Sequence, residues 1–586
     1  MNASRQSALL RVLATTIAIV LVASCGGTPE PQVRVEQQTV VVPQQIKETV
    51  VVEQQVVVTP TQAPRAALVE DIAARPDGTP APPDKQVLRW DYPGDFFPDP
   101  IGQSNWLDQD LMFAGLTALN LDGTVRPDIA EKWEASADGK TWTFHLRKDA
   151  KFSDGSPITV DDVLFSFNAL LDPKGSTDPL YRSPFRIIAG YKDFADGKTS
   201  ALAGLKASDA STVQFTLDVP TPHFPAILAP YGGKIASKKN VTEGGEKWWL
   251  KPVSSGPWKA ATFEFGERDY MELVPNENYV TGPQPKLSRL IINRTTDAST
   301  MMTRYENGEI DVAYYPPPAD VAAALKGSPL KADLVGNVAP GQFFFYFRHD
   351  RPPFDDPKVR QAFNMALDMD KLSRVVLQGT LTPMKSLIPR GTACWQEASN
   401  WPAFDPEKAR ALLAESKYGA DIPSVRILVS EVLGAPSIGR WTRVASAMAE
   451  MWQENLGLPI SLQNTEFEFE ATKDGAAQIF RSSASPLFLD PAAMTAWFGQ
   501  GAATAEQFKY SNPEVQKLLA DADVATDQSA RCGLYQQADK LLIGDGIYAA
   551  AWGLNNWAFA KPYVRGISMK TSWQFHLSVP EIYIAE

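Results

Sequence analysis

The chain has 586 residues, with 56 Lys and Arg against 68 Asp and Glu and a formal charge of -12. An acidic chain without a basic stripe excludes nucleic acid as a partner, because phosphate backbones are held by clustered Lys and Arg. The length also exceeds what one hydrophobic core serves, so two or more lobes are expected.

At the N-terminus, Arg5 and Arg11 lead into an apolar run from Val12 to Val22 and the small-residue zone Ala23-Ser24-Cys25-Gly26. Basic region, apolar core and cleavage zone in that order read as a secretory signal. The apolar run is shorter than the about 20 residues that a membrane span needs. Leu21 to Cys25 resembles the bacterial lipobox, which implies that 1-25 is a lipoprotein signal ending at a lipidated Cys25. Residues 26-85 are rich in Gln, Pro and Val and contain no aromatic residue. Without large anchors such a segment does not bury enough surface to offset its ordering entropy, so it is expected to be a disordered tether.

Folding is expected to begin near Val87. Trp142 to Leu146 alternates large apolar residues after the turn Ala137-Asp138-Gly139-Lys140 and reads as a half-buried strand. Thr159 followed by Asp161-Asp162 reads as a capped helix start with acidic first-turn residues. Phe343 to Phe347 reads as a buried strand; Asp356-Pro357 and Asp405-Pro406 each open a helix with Pro in the first turn. Strands and helices interleave throughout, which argues an α/β architecture.

Chemistry-bearing patterns are sparse. The four histidines, His145, His223, His349 and His576, show no metal-ligand spacing, and there is no nucleophile elbow, phosphate loop or dinucleotide fingerprint. No metal, cofactor or catalytic residue is expected, and the chain is not read as an enzyme. The acidic pairs Asp161-Asp162 and Asp355-Asp356 fit helix N-termini better than general acid and base. Cys394 and Cys532 form a possible disulfide, since secretion permits one and the count is even once Cys25 is set aside.

One long block then narrows the class: Pro127-Asp128-Ile129-Ala130-Glu131-Lys132-Trp133-Glu134, Asp138-Gly139-Lys140-Thr141-Trp142-Thr143-Phe144, Lys151-Phe152-Ser153-Asp154-Gly155-Ser156-Pro157-Ile158-Thr159 and Asp161 to Phe167. It is followed in order by Ser255-Gly256-Pro257-Trp258, Asn307-Gly308-Glu309-Ile310-Asp311, Pro353-Phe354-Asp355-Asp356-Pro357 and Tyr510-Ser511-Asn512-Pro513. From Val87 to Glu586 the chain resembles family 5 of the extracellular solute-binding proteins of bacterial ABC importers, the dipeptide, oligopeptide and nickel group.

That resemblance implies a two-lobed type II periplasmic-binding-protein fold. Lobe one would comprise 86-342 plus 559-586, with an extra subdomain at about 129-246, and lobe two 343-558. Hinge crossings fall near 341-347 and 556-561. It further implies a monomer that captures a small solute, a peptide or peptide-like ligand, by closing its lobes and delivers it to an ABC permease in the membrane. The place would be the outer face of the cytoplasmic membrane or the periplasm, through the lipid anchor. In the peptide-binding branch, an Asp a few residues before an Asp-Pro pair holds the peptide's α-ammonium group. Aligning Asp490-Pro491 with that pair brings Leu487 and Phe488 to the carboxylate's place and leaves Asp490 as the acidic alternative. This departure keeps open an oligosaccharide or other polar uncharged solute, held on aromatic platforms, and a sensor lipoprotein without transport. The ligand-binding residues expected are Ser104, Asn105 and Trp106 in the first cleft loop, with Trp395, Phe488, Asp490 and Trp497 from lobe two.

Overall fold

A computed structural model describes residues 77-586 apart from 95, 97, 103-105, 121-122, 176-181, 231, 267-268, 397-400, 431-439, 466-476, 487, 501 and 568-579. In chain order it begins with β1 (Val87–Tyr92), α1 (Trp106–Met112), β2 (Thr117–Leu119), β3 (Val125–Pro127), β4 (Ala130–Ala135), β5 (Thr141–Leu146) and α2 (Val160–Leu171). Next come β6 (Leu205–Asp209), β7 (Thr212–Thr216), α3 (Phe224–Leu228), β8 (Trp258–Glu264), β9 (Tyr270–Pro275), β10 (Arg289–Arg294) and β11 (Val312–Tyr314). The second half holds β12 (Leu334–Phe347), α4 (Pro357–Met365), β13 (Thr382–Pro383), α5 (Pro406–Ala414), β14 (Val425–Ser430), α6 (Arg440–Leu456), β15 (Ile460–Thr465) and β16 (Ile479–Ala484). It closes with α7 (Ala493–Phe498), α8 (Pro513–Val524), α9 (Gln528–Gly544), β17 (Tyr548–Ala560), β18 (Val564–Arg565) and β19 (Tyr583–Ile584).

Local chemistry accounts for many of these boundaries. Asp162 N–H donates to Thr159 Oγ1 and Thr159 N–H donates back to Asp162 Oδ2, a reciprocal cap that starts α2. Asp356 and Asp405 cap α4 and α5, each followed by Pro, whose missing N–H costs nothing in a first turn. Asp162 and Asp356 thus hold helix starts, while Asp355 accepts from Lys417 Nζ and the Tyr418 hydroxyl. On β5, Trp142, Phe144 and Leu146 are buried while the residues between them are half-exposed.

Strands β4-β5-β7-β6 form their own antiparallel sheet, and α2 packs on it through contacts such as Phe167 on Phe215. The large sheet has the order β15-β14-β16-β12-β17-β11-β1-β10-β9-β8, with β13 added beside β17. Its centre is the pair β12 and β17, fourteen and thirteen residues long. Leu334 to Val338 pair with Phe559 to Asn555, and Gln342 to Tyr346 pair with Gly553 to Tyr548. At one end β11 joins β17, and at the other β16 joins β12. These two strands therefore cross from one wing of the sheet to the other.

Their ladder breaks between Val338 and Gln342. Pro340 has no N–H to give, and a strand-interior Pro-Gly pair marks an irregularity. A Cβ at Gly341 would lie 2.7 Å from Ser485 Oγ and 3.1 Å from Leu554 Cδ2, so a larger residue there would have to push those two side chains aside. Beyond the break the wing is cemented by aromatic stacking, with Phe344 on Tyr548 at 4.2 Å and Tyr346 on Phe508 at 3.9 Å. Stacked pairs add roughly 0.5–1.5 kcal/mol each beyond area burial.

The expectation of a disordered tether through residue 85 is corrected over its last residues. Pro80 bridges to Ala585, Ala81 N–H donates to Ile584 O, and a 3₁₀ turn covers Pro83–Lys85. The Gln86 amide closes this clamp by donating to Ala81 O and Ile584 O. Backbone pairing and one buried Gln supply the order here, which a search for aromatic anchors does not detect. Residues 26-76 and Cys25 lie outside the described residues.

Candidate ligand cleft at the strand crossing

Where β12 and β17 break register, a cavity of about 210 Å³ opens. Its floor is Ala339, Pro340, Gly341 and Gly553, and its wall is the segment from Thr382 to Gln396 together with Asp370. β13 ties that wall to β17 by pairing Thr382 with Gly553, and Met384 N–H donates to Ala551 O. The wall then presents Lys385, Arg390 and Trp395, with the Arg390 guanidinium 4.8 Å from the Trp395 ring centroid. The volume lies below the ~300–1,000 Å³ of drug-sized sites and suits one group of a ligand.

Three ties from α9 hold the wall in place. Asp539 accepts from the Ser386 hydroxyl at 2.9 Å and from Leu387 N–H at 2.7 Å. Cys394 is bonded to Cys532, and Gln536 Nε2 donates to Cys394 O at 3.1 Å. Cys394 itself has a left-handed backbone, φ 72°. That conformation costs a residue with a side chain roughly 1–2 kcal/mol, and such strain gathers at functional sites. Tyr315, φ 60°, is the second such residue at the crossing; its hydroxyl donates to Asn556 Oδ1 on β17 at 3.4 Å.

Burial pushes the Asp539 carboxyl up to about 6, against the two hydrogen bonds that lower it. The folded chain therefore keeps a proton between about pH 4 and 6 that the unfolded chain releases, so this group's contribution is full below pH 4 and is lost as pH rises through 6. Asp539→Asn is expected to raise stability at pH 8 by about 1–3 kcal/mol, since a two-unit shift corresponds to about 3 kcal/mol. Melting curves of both chains at pH 8 and pH 4 test this; an equal advantage at both pH values would refute it.

A second cluster lies between α3 and the segment ahead of α7. Asp490 takes both guanidinium branches of Arg531, with Nη1 to Oδ2 at 3.0 Å, and accepts Ala492 N–H at 2.9 Å. Burial, the largest single influence, raises its carboxyl, but the Arg531 charge, the neighbouring His223 and the hydrogen bonds from Arg531 and Ala492 N–H together outweigh it and hold the carboxyl down at about 2. Arg531 also donates from Nε to Ala522 O and lies over the Tyr535 ring. Tyr535 and Thr495 hydroxyls both donate to Asp523. Across from this network, the His223 ring stacks on Phe488 at 5.7 Å and 17°, and Arg531 Nη2 lies 3.4 Å from its Nδ1.

Of the residues expected at the cleft, Trp395 lines the cavity, while Phe488 and Asp490 belong to the second cluster. Asp490 is committed to Arg531 within the chain. Trp497 is buried in the core beside Phe498, 7 % exposed, and does not line the cavity. Ser104, Asn105 and Leu487 lie outside the described residues; Trp106 opens α1, and its side chain is likewise outside them. Arg390, Lys385, Ser386, His223 and Arg531 carry no motif and were not anticipated. The one available signal was Pro340-Gly341 inside an apolar strand, which marks the break that floors the cavity.

An open-faced crossing of two strands beneath a walled cavity defines a binding fold of the type II periplasmic class. The family model for bacterial extracellular solute-binding proteins, family 5, matches residues 124-506. The chain belongs to that family. It is 27% identical over 483 residues to the periplasmic oligopeptide-binding protein OppA of Escherichia coli K12, covering 80% of this chain and 86% of that protein. It is 26% identical over 490 residues to the dipeptide-binding protein DppE of Bacillus subtilis, covering 80% and 87%. Among solved structures, the unliganded open form of the murein tripeptide-binding protein MppA aligns with a TM-score of 0.73 at 26% identity, over 87% of this chain and 99% of that one. Haemophilus influenzae OppA in complex with the peptide RPPGFSPFR aligns at 0.67 and 27% identity, over 86% and 99%. The family and these relatives are binding proteins.

Proposed function

We propose that this chain is the substrate-binding lipoprotein of an ABC importer, capturing a peptide or peptide-like ligand between two lobes and presenting the closed form to a membrane permease. The observation that carries this reading is the crossing of β12 and β17, whose shared break floors a cavity walled by Trp395 and Arg390. Closure by rotation about such a crossing needs no covalent chemistry, cofactor or metal. Lobe one is 86-342 plus 559-586, with the four-stranded sheet inside its extra subdomain, and lobe two is 343-558. The chain works as a monomer at the outer face of the cytoplasmic membrane or in the periplasm, anchored through Cys25. The relatives' names supply the ligand class; the Asp490–Arg531 pairing adds that recognition does not depend on a free ligand amino group through Asp490. An oligosaccharide or other polar uncharged solute is the second reading, favoured by the Trp395 ring at the cavity wall.

Thermal shift with tripeptide, N-acetylated peptide and oligosaccharide panels tests the proposal, because a ligand bound only by the folded state stabilises it by about 2.7 kcal/mol at 100 times Kd. Saturable shifts with peptides, little changed by N-acetylation, are expected. Shifts with oligosaccharides alone would transfer the reading to the second class; turnover of a substrate would overturn both. Trp395→Ala is expected to weaken binding about 30-fold, the effect of losing a roughly 2 kcal/mol aromatic anchor, without lowering the melting temperature of the free protein. Unchanged affinity would remove Trp395 from the site.

A further inference from the structure

We infer that His223 is a latch between the lobes, docking on Phe488 and Arg531 so that the chain populates a closed form before ligand arrives. The inference depends on the two-lobe reading above. His223 stands just ahead of α3, all five residues of which are buried, with Phe224 wedged among Trp142, Phe144 and Phe215. Pro222 and Pro225 flank it and stiffen its backbone. The ring makes no cap bond to its own helix. It is therefore a rigid knob whose side-chain partners are Phe488 and Arg531, on the far lobe.

The far surface is complete without it. Asp490 and Arg531 satisfy one another in two hydrogen bonds, Ala522 O takes Arg531 Nε, and Tyr535 and Asp523 close the network behind. Arg531 Nη2, which already donates to Asp490 and to the Tyr535 hydroxyl, also comes within 3.4 Å of the neutral imidazole at Nδ1, so His223 adds a contact that the far surface can give up without being left unsatisfied. Burial, with the Arg531 charge adding to it and Asp490 opposing, holds the His223 pKa down at about 4, so the ring is neutral at pH 7. One stacked pair and one hydrogen bond are strong enough to shift a two-state balance and weak enough to release it.

The test is the distance between lobes in the full chain, read by spin labels at Lys206→Cys on β6 and Lys517→Cys on α8, both exposed positions. Without ligand, a dominant short distance is expected, and His223→Ala should raise the ratio of long to short about 10-fold. His223→Phe, which keeps the ring but loses the acceptor, should fall between. His223→Gln keeps an acceptor and serves if the alanine chain fails to fold. Identical distributions in the parent and His223→Ala or His223→Gln chains, with a tripeptide library still shortening the distance, would overturn the latch and leave the two-lobe reading standing. A single distance unmoved by the library or by any substitution would overturn both.

Discussion

Replacing Cys394 and Cys532 together by Ser is expected to cost about 5 kcal/mol of stability and to weaken ligand binding as well. The bond joins residues 138 apart in sequence, and closing a loop of that length removes about 5 kcal/mol of chain entropy from the unfolded state. Its second role is local. Cys394 is held in a left-handed conformation directly before Trp395, and the bond to α9 together with the Gln536 amide keeps it there. Released, that turn relaxes and the cavity wall loosens. Calorimetry with and without reductant separates the roles: reductant should lower the parent melting temperature and leave the Ser/Ser chain unchanged. A parent chain insensitive to complete reduction would remove the bond from the stability account, and full affinity in the Ser/Ser chain would remove it from the site.

Arg531→Met is expected to be the most damaging single substitution in the second cluster, at about 3–5 kcal/mol, because it strands the Asp490 carboxylate, only 13% exposed, without its partner. The pH dependence carries the diagnosis. In the parent chain Asp490 is held at about 2, so its contribution is present above about pH 4 and is lost as pH falls toward 2. In Arg531→Met, the Arg531 charge and hydrogen bonds are gone, desolvation outweighs the remaining Ala492 N–H bond and His223, the carboxyl rises, and acid should stabilise the chain over the same window. Adding Asp490→Asn should restore much of the loss, since a neutral amide is cheaper to bury than an unpaired charge. Urea titrations of the four chains at pH 7 and pH 4 measure the coupling; additive losses would show that the two side chains do not act as a pair.

These expectations come from contacts that span the chain, which is where sequence reading stops. Thr159 with Asp162, Asp356 before Pro357 and Asp405 before Pro406 are settled within three or four residues, so the helix starts at α2, α4 and α5 were legible. The alternation from Trp142 to Leu146 was legible for the same reason. Phe343 to Phe347 was readable as a strand, but its continuation back to Leu334 through Pro340 and Gly341 was not, because local propensity argues against it and the partner strand lies some two hundred residues away. The site divides in the same way. Trp395 and Trp497 look alike in sequence; one lines a cavity and the other fills the core because of what α9 and α7 pack against. Asp490 reads as an available acid until Arg531, 41 residues on, is seen to claim it.

The clamp that joins residues 80-86 to the C-terminal strand also sets a path for mechanical load. A pull on the chain ahead of residue 77 is borne first by Gly78, Thr79 and Pro80, which bond Tyr583, Glu586 and Ala585, and then by Ala81 and Gln86 on Ile584, all in the wing that carries β1. The tension enters and is resisted within that one wing, and neither β12 nor β17 at their crossing is part of the loaded contacts. Tension applied from the N-terminal side is therefore taken up within a single wing and leaves the strand crossing mechanically unloaded.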